Sequence, residues 1–206
     1  MKTIISTFGE APGGIIEGIK QFGCQKLVLL LSDMPQTKKS IRGLRKIEKN
    51  TIEMNIPLEK IIMPPYSIMD NVHKIKQVII ENGNNVILNI TGGRKTLSLA
   101  AALAGFVTNP EKIIYIQEED NKPIEIPKFT IYEKLLSNEK RIILNVIKKN
   151  TNLNDIKKLL KNQNISKNEP ILRKHLRDLE RKELIEIDKN SRPHKYNITP
   201  SGELLR

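Results

Sequence analysis

A short apolar run, Val86-Ile87-Leu88-Asn89-Ile90, breaks at Thr91-Gly92-Gly93-Arg94-Lys95-Thr96 and passes directly into Leu97-Ser98-Leu99-Ala100-Ala101-Ala102-Leu103-Ala104. The β-branched run suits a buried strand, and the Ala/Leu-rich segment has high helix propensity. The glycine pair between them must therefore turn a strand into a helix. In an open α/β sheet, such a turn at the carboxyl end of a strand aims unsatisfied helix N-terminal amides outward, where the helix dipole favours negative charge. That is the geometry of an anion site. Gly92 and Gly93 let the backbone approach a phosphate, while Lys95 and Arg94 supply positive charge. The same residues also suit a tight turn with two solvated cations, so the surrounding chain has to decide.

Thr3–Phe8 reads as a first strand, closing on the loop Gly9-Glu10-Ala11-Pro12-Gly13-Gly14 before the helical pattern of Ile15–Lys20. That loop is glycine-rich but lacks the G-x-G-x-x-G spacing, and the acidic partner about 20 residues on, of a dinucleotide fingerprint. Lys26–Leu31 is a second strand, and the polar loop 32–39 leads into a helix from about Ser40 to Asn55. A third strand at Ile61–Met63 stops at Pro64-Pro65, and Ser67–Glu81 shows Ile68, Val72, Ile75 and Ile79 at helical spacing. Lys112–Ile116 adds a fifth strand and Pro123–Pro127 a short edge strand. Alternating strands and helices, each strand a continuous apolar run, predict a Rossmann-like α/β fold whose mostly parallel sheet is covered on both faces. Ligands in such sheets sit beyond the strand carboxyl ends, which puts the Ser6–Gly14 and Asn89–Thr96 loops on one rim. Gly93-Arg94-Lys95-Thr96 is not a P-loop, because no glycine directly precedes Lys95 as G-x-x-x-x-G-K-[ST] requires. Nucleoside triphosphate hydrolysis is therefore excluded.

The formal charge of +12 is uneven: residues 134–206 carry 18 Lys/Arg against 9 Asp/Glu, whereas 1–133 carry 17 against 14. Concentrated positive charge on a terminal segment points to a polyanion, nucleic acid before membrane, since no basic amphipathic helix has aromatic anchors. A merely solvated surface is the competing reading. Within this segment, Ile142, Ile143, Val146 and Ile147 mark one helix, and Leu153, Ile156, Leu159 and Leu160 a second capped by Asn152. In the third, Ile171–Arg181, the residues Leu172, Leu176 and Leu179 share a face, leaving Lys174, Arg177 and Arg181 opposite. Leu184–Ile187 and Lys195–Ile198 then form a hairpin with a basic tip. Helices followed by a basic hairpin describe a winged helix-turn-helix, with its third helix in the major groove and its wing on the backbone. The DNA-binding candidates are Lys167, Arg173, Lys174, Arg177 and Arg181, with Lys189, Arg192, His194 and Lys195 of the wing; Lys174 and Arg177 are the candidate base readers. A basic helical domain used for protein contacts is the alternative. The expected organisation is a sheet domain over 1–131, a connection over 132–137 and a basic helical domain over 138–206.

Cys24 stands alone, so no intramolecular disulfide or multi-cysteine metal cluster is available, and a reducing compartment is implied. No signal peptide and no apolar run of about 20 residues is apparent, so the expectation is a cytoplasmic protein without a membrane partner. His175 and His194 lack the neighbours of a metal site.

A strand ending in Asn89-Ile90-Thr91-Gly92-Gly93-Arg94-Lys95-Thr96, followed by a winged helix, is similar to the CRISPR-associated Rossmann-fold (CARF) transcriptional regulators. The resemblance spans the chain in architecture and rests on that motif and on domain order. It implies that the first-strand loop and the T-G-G-x-K-type loop line a pocket across a homodimer two-fold, receiving a cyclic oligoadenylate, usually the four-membered ring. Thr91, Gly92, Gly93, Arg94 and Lys95 match the second motif, with Asn89 at its strand end; Ser6, Thr7, Phe8 and Gly9 hold the first-loop position. The implied protein is a homodimeric, ligand-responsive regulator that binds double-stranded DNA in antiviral defence, without cofactor or metal. Two alternatives remain open. One is a ring nuclease in which Thr7, Thr91 and Lys95 position a ribose 2′-hydroxyl for attack on its own phosphate and stabilise the developing charge. The other is a regulator that senses a different anionic metabolite.

Overall fold

A computed structural model of the chain describes residues 1–32, 37–127, 136–163, 165 and 168–205, in two compact units that divide at 129/130. In the first unit, strands β1 (Thr3–Phe8), β2 (Lys26–Leu31), β3 (Leu58–Ile62), β4 (Val86–Asn89) and β5 (Lys112–Ile116) alternate with helices. The helices are α1 (Gly13–Phe22), α2 (Lys38–Glu53), α3 (Ile68–Glu81) and α4 (Lys95–Thr108). A short strand β6 (Pro123–Glu125) completes a six-stranded sheet of order β3-β2-β1-β4-β5-β6, parallel except for β6. This is the mostly parallel Rossmann-like sheet that the alternating pattern predicts.

The strands are apolar throughout because helices cover both faces. Ile4, Leu29, Ile87 and Ile114 share a core with Ile15 and Ile19 of α1 and Ile47 of α2. On the opposite face Leu88 and Ile113 approach Gly105 of α4, whose Ala100, Ala101 and Ala104 are fully buried; α3 packs beside α4. The third strand begins three residues earlier than the apolar run Ile61–Met63 suggests. At this edge Glu59 and Lys60 face solvent, where Lys26 pairs with Glu59 and Lys60 with Glu48, each at 2.8 Å, so their polarity hides the strand.

Register sets the rim. Ser6 lies opposite Asn89 and Phe8 opposite Leu31, so β1 and β2 end level and β4 stops at Ser6, on the same rim. Strand order reverses between β1 and β4, the switch point at which open sheets leave a crevice. At this rim Thr37 caps α2, accepting from the Ser40 amide at 3.0 Å while Ser40 Oγ accepts from the Thr37 amide at 3.1 Å. Such a reciprocal cap satisfies two helix-end donors.

The second unit contains α5 (Asn138–Val146), α6 (Leu153–Asn162), α7 (Glu169–Arg181) and α8 (Pro200–Leu205). Strands β7 (Thr151–Asn152), β8 (Ile185–Asp188) and β9 (Lys195–Ile198) form an antiparallel sheet of order β7-β9-β8. Leu144, Ile147, Ile156, Leu172, Leu176, Leu179 and Tyr196 make its core. Asn152 caps α6, accepting from the Asp155 amide at 3.0 Å. The two-residue β7 is too short for any periodicity to betray. Most of the expected connection, residues 132–135, lies outside the described residues. Among the described residues, no helix is long and apolar enough to cross a membrane.

Gly43 of α2 faces the β1–α1 loop, and a Cβ there would lie 2.2 Å from the Glu10 carbonyl oxygen. Backbone cannot yield as a side-chain tip does. Gly43→Ala should therefore destabilise the first unit by about 1–3 kcal/mol, read as a lower urea midpoint; an unchanged midpoint contradicts this packing.

Candidate functional site

The β1–α1 and β4–α4 turns meet at the switch point, and glycine is what lets them touch. A Cβ on Gly9 would stand 3.0 Å from the Gly93 nitrogen, and one on Gly92 2.8 Å from the Thr7 carbonyl oxygen. Gly93 also adopts φ +93°, a conformation that side chains disfavour. The glycine pair thus serves the contact between turns as well as any approach to a ligand.

A single buried side chain pins the junction. Asn89, fully buried, donates from Nδ2 to the Gly14 carbonyl at 3.0 Å. Its Oδ1 accepts from the Thr91 amide at 3.0 Å and from Thr91 Oγ1 at 2.5 Å. Thr91 Oγ1 in turn accepts from the Ile116 amide at 2.8 Å. The ends of β4 and β5 and the start of α1 are tied together in this way.

Beyond the junction opens a cleft of about 810 Å³. Phe8, Gly9, Thr91, Gly92, Gly93 and Arg94 line it, so residues of both loops singled out in the sequence share one wall. Other candidates lie elsewhere. Ser6, Thr7 and Asn89 are fully buried beneath the cleft, which corrects their expected placement on its wall. Lys95 is exposed on the first turn of α4 and does not line the cleft. The Thr91 hydroxyl is engaged as both donor and acceptor, and Thr7 Oγ1 is sealed from solvent. Neither is placed to activate a ribose hydroxyl.

The cleft also recruits residues that no motif flagged: Glu10, Thr37, Lys39 and Ser40, and Gln117, Glu118 and Asn121 of the β5–β6 turn. The rule that the loops after β2 and β5 share the rim was the available signal. Lys39 Nζ lies 3.3 Å from the Glu10 carboxylate, which also accepts from Thr37 Oγ1 at 3.2 Å. Helices α1, α2 and α4 all start at this cleft. Arg94 precedes α4 in an extended conformation and no side chain caps the helix. Among the described residues, the amides of Gly92, Gly93, Lys95 and Thr96 find no acceptor in the chain. Arg94 Nη1 donates to the Tyr66 hydroxyl at 3.2 Å, and its guanidinium sits 5.5 Å from that ring's centroid. Open amides, converging helix dipoles and flanking cations suit an anion with several phosphates. Among the described residues, no three His, Cys, Asp or Glu side chains group as a metal would need. Cys24 lies outside the cleft; burial pushes its thiol pKa up.

In the second unit, α7 buries Leu172, Leu176 and Leu179 and exposes Arg173, Lys174, Arg177 and Arg181. A shallow groove runs along these cations beside Glu169, Pro170 and Asp178. Glu169 bonds to Lys157 and to Arg173 Nη2, the latter at 2.8 Å; these bonds, Lys157's first, hold its carboxyl below the usual range. Lys140 does the same for Asp178, from which Arg181 stands 3.7 Å away. Lys189 pairs with Glu180 at 3.0 Å. Among the described residues, Lys174 and Arg177 form no ion pair. Arg192, His194 and Lys195 are exposed on the β8–β9 hairpin. His175 is largely buried with Nε2 3.3 Å from Glu139, and Lys167 lies outside the described residues.

Fold and topology define a Rossmann-like domain with an open cleft at its switch point. Residues 3–127 match the model of the Csa3 CRISPR-associated Rossmann-like domain, and the chain belongs to that family. A curated relative, the CRISPR system ring nuclease SSO2081 of Saccharolobus solfataricus, is 30% identical over 115 residues, 50% of this chain and 65% of that protein. The chain thus covers just under two thirds of that relative's length. Csm6 of Enterococcus italicus, solved with cyclic hexa-2'-fluoro-hexa-dAMP, shares the fold with a TM-score of 0.51 at 12% identity, over 89% of this chain and 55% of that one. Can2 of Sulfobacillus thermosulfidooxidans, solved with cyclic tetra-adenylate, gives 0.47 at 16% identity over 99% and 62%.

Asn89→Ala should act on stability, leaving the Thr91 amide and Gly14 carbonyl unpaired at about 1–3 kcal/mol each. Denaturant unfolding checks this; a variant as stable as the parent contradicts the role.

Proposed function

We propose that the first unit binds a cyclic oligoadenylate in the β1/β4 cleft as part of type III CRISPR defence, and opens the ring it holds. The observation that carries this reading is the pair of unpartnered amides of Gly92 and Gly93 on the wall of a cleft large enough for nucleotides, beside Arg94 and continued by the free amides of Lys95 and Thr96 on the first turn of α4. The family match and the kinship with a ring nuclease support the choice of ligand and of reaction. A symmetric ring of phosphodiesters suits two copies of the site about a two-fold axis, and the half-exposed Leu99 of α4 suits burial against a second copy.

In the proposed reaction the ribose 2′-oxygen attacks the adjacent phosphorus and the 5′-oxygen leaves. The linear product has a 2′,3′-cyclic phosphate at one end and a 5′-hydroxyl at the other. The amides and Arg94 stabilise charge on the phosphoryl oxygens, and Lys39, on the cleft wall, gives its proton to the leaving 5′-oxygen. Glu10, paired with Lys39 on the same wall, is the base assigned to take the proton of the attacking 2′-hydroxyl. Incubation with rings of three to six adenylates, followed by separation of products, tests both steps. Tight binding with linear product is the expected result. Arg94→Ala should weaken binding about 10- to 100-fold, as loss of a charged hydrogen bond does. Binding without product reduces the protein to a sensor, and indifference to every ring overturns the reading.

A second reading concerns the other unit, and the unpaired cations Lys174 and Arg177 on the exposed face of α7 favour it. In it, α6, α7 and the β8–β9 hairpin act as a winged helix-turn-helix on double-stranded DNA, with ligand occupancy of a homodimer setting operator affinity. Arg177→Ala should cost discrimination between cognate and random duplexes, about 1–3 kcal/mol per lost base contact. Lys195→Ala should weaken all duplexes alike and lower the salt slope by about one. Equal losses on every sequence for both variants contradict base reading by Arg177.

A further inference from the structure

Phosphates account for only half of an oligoadenylate; each is followed by a flat, apolar adenine that gains by leaving water. The chain is poor in surfaces for one. It has four tyrosines, four phenylalanines and no tryptophan. Tyr66 is nevertheless 73% exposed, in the loop between β3 and α3, a loop that no motif identified.

The surroundings of Tyr66 are built. Pro64 and Pro65 restrict the backbone before it. Thr96 Oγ1, from the first turn of α4, donates to the Pro65 carbonyl at 2.8 Å. Asn71, fully buried in α3, donates from Nδ2 to the Pro64 carbonyl at 2.7 Å while its Oδ1 has no partner. A buried amide oxygen left unpaired is costly, and what the side chain secures is this loop. Arg94 then joins the loop to the anion turn, donating to the Tyr66 hydroxyl and lying over its ring.

From this arrangement, and resting on the reading of the cleft as a cyclic oligoadenylate site, we infer that Tyr66 is an adenine-stacking platform. A base of the ring lies against the phenol while its phosphate sits on the amides of Gly92–Thr96, and Arg94 spans the two. A ring fixed on two prolines loses little freedom on binding. Aromatic stacking accepts any base, so Tyr66 gives affinity for a nucleotide over a bare polyphosphate, and choice among bases must come from polar groups such as Gln117.

Titration of the full chain with cyclic tetra-adenylate and, separately, with tripolyphosphate tests the inference. Tyr66→Ala and Tyr66→Leu should weaken ring binding about 5- to 150-fold, and tripolyphosphate less than threefold. Tyr66→Phe and Tyr66→Trp should keep the ring within about threefold of the parent. With Tyr66 so exposed, circular dichroism should show all four variants folded. Ring binding unchanged in Tyr66→Ala overturns the platform and leaves the site reading intact. Equal loss of ring and tripolyphosphate also overturns it, because Tyr66 would then merely hold Arg94. A parent chain that binds no ring of any size overturns the site reading, and this inference with it.

Discussion

The structure depends on the close contact between two glycine turns at the point where the sheet reverses its order. Gly9 rests against Gly93 and Gly92 against the end of β1, and Asn89 fastens the contact from below through Gly14 and Thr91. Without a side chain in the way, β1 and β4 deliver their turns to one place. Asn89 adds the side-chain ties that hold Thr91 and the start of α1 to that contact. The amides at the start of α4 remain free because the junction is secured by side chains beneath it.

Charge is distributed to match. Around the cleft the positive ends of three helices and the side chains of Arg94 and Lys39 meet the carboxylates of Glu10 and Glu118. Carboxylates are unwelcome near phosphate but useful near a ribose hydroxyl or the amino group of a base, so a mixed wall suits a nucleotide better than a simple anion. On the second unit the pattern differs. Several acids neutralise neighbouring lysines and arginines along α7, leaving Lys174 and Arg177 among the described residues without an ion pair. Such partial neutralisation lowers the net positive charge of this face and confines the unpaired charge to two side chains.

Much of the fold was legible because a sheet covered on both faces writes itself as continuous apolar runs. Thr3–Phe8, Lys26–Leu31 and Lys112–Ile116 coincide with the strands observed. The edge strand β3 shifted because Glu59 and Lys60 break its run, and β7 is too short to carry a period. The glycine-turn motif correctly located the rim, but polarity misled about side chains. Ser6, Thr7 and Asn89 look like ligand contacts in a sequence, yet a sheet covered on both faces buries every position of β1 and β4 and puts them in the scaffold. Conversely Tyr66 and Glu118 reach the rim or the cleft from loops without a motif, and Lys39 from the first turn of α2; their placement follows from tertiary geometry that no local pattern encodes.

In the proposed complex the phosphates rest on the amides of Gly92, Gly93, Lys95 and Thr96. Backbone amide resonances of 15N-labelled protein, followed while cyclic tetra-adenylate is added, test it most directly. The largest saturable shifts should fall on these four residues and on Gly9 opposite them. Saturable binding that leaves these resonances in place, with the largest shifts elsewhere, would contradict it.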